Sequence, residues 1–227
     1  MARGTRRGLI AGGVLVSAAA ASIAIGTVYQ KSPNFAGYDF NSSTVTSASA
    51  RFSIPTETCA GTRSGVGPGV FIVTTKNQLT GAGLIVACTP SETYQVATVV
   101  NGLEQNSISV RPKDVVLVQV HISSKGSRVT IHDLTIHRSS TQAGKGARSR
   151  YVSIGMAAVL FADVRVGVDK FTPVTFTNVV VQGTALGRWK PYAVERYRGP
   201  ASHPIVQIRP GRLSHDGESF TLSYVHS

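Results

Sequence analysis

The chain reads as an all-β protein, a two-sheet antiparallel β-sandwich, preceded by one N-terminal hydrophobic helix. Three observations predict this. Valine, threonine, serine and isoleucine dominate, and these side chains suit a pleated, half-buried surface. Strand-length runs recur at 45–54, 69–75, 82–88, 93–100, 107–111, 115–122, 128–136, 151–162, 164–168, 172–182, 204–209 and 219–226, while no helical period persists beyond residue 30 or so. Turn signals separate the runs: Gly65-Val-Gly-Pro-Gly69, Asn101-Gly102, Arg111-Pro112, Lys125-Gly126 and Asp216-Gly217. Short alternating strands without helices bury their apolar faces only by stacking as two sheets. The 227 residues suffice for one such domain plus a short targeting segment, and no internal repeat is visible.

Taken in order, residues 1–28 form a signal peptide or membrane anchor. Gly8 to Val28 carries no charge and follows Arg3, Arg6 and Arg7. It reaches the ~20 residues that a helix needs to cross a bilayer. Its alanine, glycine and serine content leaves two readings open: a cleaved signal with a small-residue site in Ala18–Ala24, or an uncleaved anchor. Both place the body outside the cytoplasm, secreted or membrane-anchored. Residues 29–44 are polar, with Pro33, Gly37 and paired serines, and read as a linker or first edge strand. The sandwich domain then spans 45–227. Within it Val116, Val118, Val120 and Ile122 face one way, and Gln119, His121 and Ser123 the other. Val129, Ile131, Leu134 and Ile136 keep that pattern with one slip after His132-Asp133, which predicts a bulge.

Charge and cysteine usage narrow the function. There are 23 basic and 11 acidic residues, a formal charge of +12. The three leader arginines account for part of it, and +9 remains on the body. Such a surface suits an anionic partner, whether a lipid headgroup layer or an envelope polymer. Export and the lack of any nucleic-acid motif argue against nucleic acid. The only cysteines, Cys59 and Cys88, agree with an oxidising compartment, and pairing them would close a loop worth about 3–4 kcal/mol. No metal or cofactor site is expected. The histidine spacing is wrong for one: His132 and His137 fall on opposite strand faces, and His121 is remote. No Gly-x-Ser-x-Gly elbow supports a serine hydrolase, and His132 and Asp133, adjacent on a strand, point apart as surface residues.

Two segments look like inserts. Arg138 to Arg150 is small, polar and basic, with the character of a mobile loop. Gly187 to Pro204 holds the only tryptophan. There Trp189, Tyr192 and Tyr197 alternate with Arg188, Lys190, Arg196 and Arg198, a chemistry that stacks on rings and forks onto anions. Alternatively Trp189 caps the core and the charges simply solvate the loop.

Five stretches resemble the glutamic peptidases, or eqolisins, β-sandwich endopeptidases that work in acid. They are Val45 to Cys59 (VTSASARFSIPTETC), Lys113 to Val120 (KDVVLVQV), Val129 to Thr135 (VTIHDLT), Pro173 to Asn178 (PVTFTN) and Gly217 to Val225 (GESFTLSYV). The resemblance implies a sandwich of the concanavalin-like jelly-roll kind, with a glutamate base and a glutamine that steadies the tetrahedral intermediate, and at those two positions the chain departs from the pattern. The glutamine falls on Ile85 and the glutamate on Ala158. Neither side chain can move a proton or donate to an oxyanion. Gln78 and Asp163 lie at odd separations from these positions, hence on the opposite strand face. The family's aromatic subsites are also lost, at Phe71 to Lys76 and Gln95 to Val100. The expectation is a non-catalytic relative that binds an extracytoplasmic protein, glycan or anionic envelope polymer, held at the membrane through residues 8–28 if the leader is uncleaved. Two alternatives stand. One is a divergent acid endopeptidase using Glu92, Glu104, Asp114 or Asp163; the other is a structural envelope protein that assembles through its N-terminal helix.

Overall fold

The computed structural model describes residues 29–59, 63–64, 66–88, 91–158, 169–200, 202–225. These residues are almost wholly β, and the only helix among them is a single 3-10 turn, Leu186–Trp189. The predicted N-terminal helix, the strand at 164–168 and the end of the run at 151–162 lie outside the described residues. Among the described residues no helix is long and apolar enough to cross a membrane.

Two antiparallel runs of strands make up the body. The front run is, in spatial order, β9 (Leu103–Val110), β8 (Thr93–Val100), β7 (Leu79–Ala87), β6 (Val66–Thr74), β13 (Ser149–Ala158), β2 (Phe35–Asn41) and β17 (Tyr192–Arg198). Strand β1 (Tyr29–Ser32) completes it, pairing parallel to β17. The back run is β12 (Arg138–Gly144), β11 (Ser127–Asp133), β10 (Val115–Ile122), β3 (Ser47–Ser53), β15 (Val174–Val181) and β19 (Phe220–Tyr224). Strand β18 (Ile205–Pro210) pairs with β17 on one side and β19 on the other, so the hydrogen-bonded ladder passes continuously from one run to the other. Short pieces finish the frame: β4 (Glu57–Thr58) with β14 (Lys170–Phe171), β5 (Arg63–Ser64) on β7, and β16 (Thr184–Ala185) on β15.

Alternation decides which face each strand buries. Val116, Val118 and Val120 of the back run and Val70, Ile72, Leu84, Val152 and Ile154 of the front run share one buried cluster. Aromatic rings fill its centre. Phe176 stacks on Phe220 at 4.8 Å and meets Phe52 at 5.4 Å, while Tyr38 meets Phe220 edge-on at 4.9 Å. Offset and edge contacts of this kind add to the burial of their area.

Four expectations need correction. Residues 29–44 are no linker: β1 is an edge strand, paired among the described residues with β17 alone, but β2 is paired on both sides, and Ala36, Tyr38 and Phe40 belong to the core. Pro33 and Gly37 conceal that stripe in the sequence. Arg138 to Arg150 is no mobile loop, since Arg138–Gly144 forms the polar edge strand β12. The slip after Asp133 is a turn rather than a bulge, with His137 at a φ of 55° and Ile136 exposed. Asp133 is buried, not superficial; its Oδ1 accepts from the backbone N–H of Thr135 and Ile136 and so caps that turn.

Cys59 and Cys88 form a disulfide across a sequence separation of 29, tying the segment after β4 to the end of β7. Replacing both with serine is expected to lower the unfolding free energy in urea by about 3 kcal/mol. A loss under ~1 kcal/mol would show that packing alone holds this end.

Candidate functional site

The register of the front run places one residue from each of six strands in a line across its outer face. Val99 lies opposite Gly81, Gly81 opposite Phe71, Phe71 opposite Ser153, Ser153 opposite Asp39, and Asp39 opposite Tyr192. The neighbours of these residues along each strand point into the core, so this line faces away from it. A second line beside it is nearly bare: Gly83, Gly69, Gly155 and Gly37 follow one another across β7, β6, β13 and β2. The glycines make room for rings that lie down on the sheet. A Cβ on Gly69 would sit 2.5 Å from the Phe71 ring, one on Gly81 2.7 Å from it, and one on Gly37 2.8 Å from Phe35. Phe71 is fully buried and packs with Val99, Leu79 and Ala157. The face is therefore paved with hydrocarbon.

Asp39 is the exception. It takes a hydrogen bond from Ser153, and its Oδ1 is closed off from solvent with no hydrogen-bond partner. Burial pushes its carboxyl up to about 6, against the opposing pull of the Ser153 hydrogen bond. Tyr151 and Tyr192 flank it, both half-buried. Burial raises both phenols and the nearby Asp39 charge raises them further, so they remain neutral hydroxyls through the physiological range. Sequence reasoning missed this group because the segment reads as a linker or edge strand. The available signal was a lone acid inside the otherwise apolar run Phe35 to Phe40.

The positions singled out beforehand are scattered. Ile85 lies on β7 opposite Gln95, half-buried on the outer face. Ala158 pairs with Val66 through its backbone, and its side chain lies outside the described residues, as does all of Asp163. Gln78 is exposed in the β6–β7 turn, and Glu104 is exposed opposite Val99. Glu92 accepts from the Tyr94 hydroxyl, which burial, then Glu92, pushes up to about 12. Asp114 accepts from the Arg111 N–H at 2.7 Å and holds a turn.

The aromatic-basic segment divides three ways. Trp189 stacks on Phe40 at 5.4 Å and donates to the Val181 carbonyl at 3.2 Å, so it closes the edge of the core. Arg196 is buried and donates to Gln207 at 2.5 Å, and desolvation lowers it to about 10. Tyr192 joins Asp39, while Arg188, Lys190 and Arg198 are exposed and Tyr197 is half-buried. On the back run His132 contacts Ser139 at 2.7 Å and Gln119 at 3.2 Å through its two ring nitrogens, on an exposed face.

Solved structures with this arrangement exist. Scytalido-glutamic peptidase, in a complex with a transition-state analogue inhibitor, matches at a TM-score of 0.67 and 15% identity, over 85% of this chain and 98% of its own. SCP-B, a member of the eqolisin family of peptidases, in a complex with the tripeptide Ala-Ile-His, matches at 0.67 and 16% over the same shares. The chain has the glutamic-peptidase fold. No family model matches the sequence, and no curated protein does. The expected resemblance therefore holds at the level of architecture.

The raised Asp39 carboxyl carries a stability signature of defined sign. Below pH ~4 the group is neutral in both the folded and the unfolded chain. Between about 4 and 6 the unfolded chain releases the proton first, so stability falls as pH rises, by up to ~2–3 kcal/mol, and stays lowered above. Asp39→Asn should abolish that fall. Urea unfolding at pH 4 and pH 7 checks it: the variant should gain on the native protein by about 2 kcal/mol between the two, and an unchanged difference would contradict a buried, raised carboxyl.

Proposed function

We propose that this protein is an exported or membrane-tethered jelly-roll sandwich with the glutamic-peptidase fold that binds an extended segment of an extracytoplasmic protein on the outer face of its front run, without cleaving it. The observation that carries this is the state of Asp39. A general base must touch the water it activates, and an oxyanion needs donors placed where its charge grows. Asp39 Oδ1 is shut off from solvent and the other oxygen is engaged by Ser153, while the line through them supplies phenylalanine, glycine and valine on β6, β7 and β8. The half-buried part of the face includes Asp39, Ile85, Leu79, Ala157, Tyr151 and Tyr192, with Asn41 and Gln95 exposed beside them. Half-buried apolar groups and neutral hydroxyls suit an uncharged backbone. The tripeptide held by SCP-B supports a peptide as the ligand class. The disulfide supports an oxidising compartment beyond the cytoplasm.

A second reading rests on the same residue. A carboxyl raised to about 6 beside two neutral phenols has the makings of a base with oxyanion donors, which would make the chain a divergent acid endopeptidase. One experiment separates the two. Denatured casein incubated with the purified protein from pH 2 to 7 should yield no new peptides by mass spectrometry. Cleavage that disappears in Asp39→Asn would establish the second reading instead.

Binding has its own test. Peptide arrays probed with the protein should show retention that falls about tenfold in Tyr192→Ala, because a half-buried ring contact is lost. Retention that survives Tyr192→Ala and Ile85→Asp alike would move the ligand off this face.

A further inference from the structure

Two cavities of about 480 Å³ each adjoin where the β6–β7 turn meets the β12–β13 connection, and both are lined by Thr75, Ser124, Ala147 and Arg148. The first adds Lys76 and Lys145, with Asn101 and Gln78. Among the described residues no acidic one lines either cavity. Lys76, Lys145 and Arg148 have no carboxylate partner among the described residues, whereas Arg209 is ion-paired with Glu195. Three unpaired cations around a void repel one another, and an anion seated between them would remove that cost.

The backbone beneath these cations is fixed. The Lys145 carbonyl accepts from Asn101 Nδ2 at 3.0 Å and from the Ser127 hydroxyl at 2.9 Å. The Ala147 N–H donates to the Ser123 carbonyl at 2.8 Å, and the Thr75 N–H to the Arg148 carbonyl at 3.0 Å. Gly146 is pressed so closely that a Cβ there would lie 2.1 Å from the Ser124 carbonyl oxygen. A segment composed like a flexible linker is thus tied at four points, with its charged side chains left outward. Lysine ammoniums, an arginine fork and the Thr75 and Ser124 hydroxyls supply donors for several oxygens at once.

We propose that this double cavity binds a phosphate ester group carried on a larger anionic molecule. A phosphate brings more charge and more acceptor oxygens than a carboxylate, which matches three cations with hydroxyls between them. The combined space exceeds what one phosphate fills, so the cavities also hold part of the molecule that bears it. The site is separate from the Asp39 face, and its test reads out independently of that one.

The test uses the full-length chain at about 0.15 M salt, where screening confines exposed charges to ~8 Å. Inorganic polyphosphate, polyglutamate and phosphatidylglycerol vesicles are the probes, read by calorimetry or co-sedimentation. Polyphosphate should bind, and Lys145→Ala/Arg148→Ala should weaken it about tenfold or more. A charge-matched control on the exposed back run, Arg128→Ala/Arg138→Ala, should change it less than about twofold. Vesicle binding lost in the same cavity variant would place the phosphate on a lipid headgroup; polyphosphate binding without vesicle binding would place it on a soluble or wall polymer. Equal weakening in both variants, polyglutamate held as tightly as polyphosphate, or no binding to any probe would overturn the proposal. Both replaced side chains are exposed, and an unchanged melting temperature would confirm that the variants fold.

Discussion

The double pairing of β13 is the constraint on which the rest depends. This strand lies between β6 and β2 and sends Val152, Ile154 and Met156 into the shared core. A slip of one residue would turn those three outward and drive Ser153 and Tyr151 into hydrocarbon, so burial fixes the register strongly. The same register sets Ser153 between Phe71 and Asp39. The geometry of the site is thus a by-product of core packing. The irregularity between Ser149 and Tyr151 lets the chain leave the sheet there, and Ser149 lines one of the two basic cavities.

Glycine and phenylalanine share the outer face in a way that explains its chemistry. Glycine within a strand weakens it unless something uses the vacancy. Here Phe71 lies across Gly69 and Gly81, and Phe35 across Gly37, so the rings recover contact area while lying flat. The result is a floor with little polar surface over four strands. A carboxyl set into such a floor loses hydration that one serine hydroxyl cannot replace, which is why Asp39 holds its proton well above the ordinary range.

Much of the architecture was legible where one face of a strand is wet. Strand β10 stands within its predicted run because Val118, Val120 and Ile122 alternate with the exposed Gln119 and His121. Legibility failed where that contrast vanished. Strand β12 has no apolar face, with serine, threonine, glutamine and alanine on an edge, and so it resembles a linker. Strand β2 fails for the opposite reason: Phe35, Ala36, Gly37 and Tyr38 are all buried, which leaves no period of two. The site was illegible because it rests on register between strands distant in sequence: Asp39, Phe71, Ser153 and Tyr192 are joined only by pairing. Trp189 falls between the two cases: that it caps the core was one of the two readings open in the sequence, while its partner, Phe40, lies too far away in sequence to be named from it.

Charge gives the final distinction between the two surfaces. The chain carries +12, yet Asp39 on the front outer face has a raised rather than a lowered carboxyl. A general positive potential would favour the anion, so local desolvation must outweigh it, as expected when the cations stand in water and are screened within a Debye length. Asp39 is accordingly neutral in acid and becomes a poorly solvated negative charge near neutral pH. An anionic ligand would be repelled there and drawn to Lys76, Lys145 and Arg148, while an uncharged chain meets no such penalty on the paved face. The two proposed regions would therefore sort ligands by charge, and the fold keeps them apart by placing one on the outer face of the sheet and the other at the strand ends.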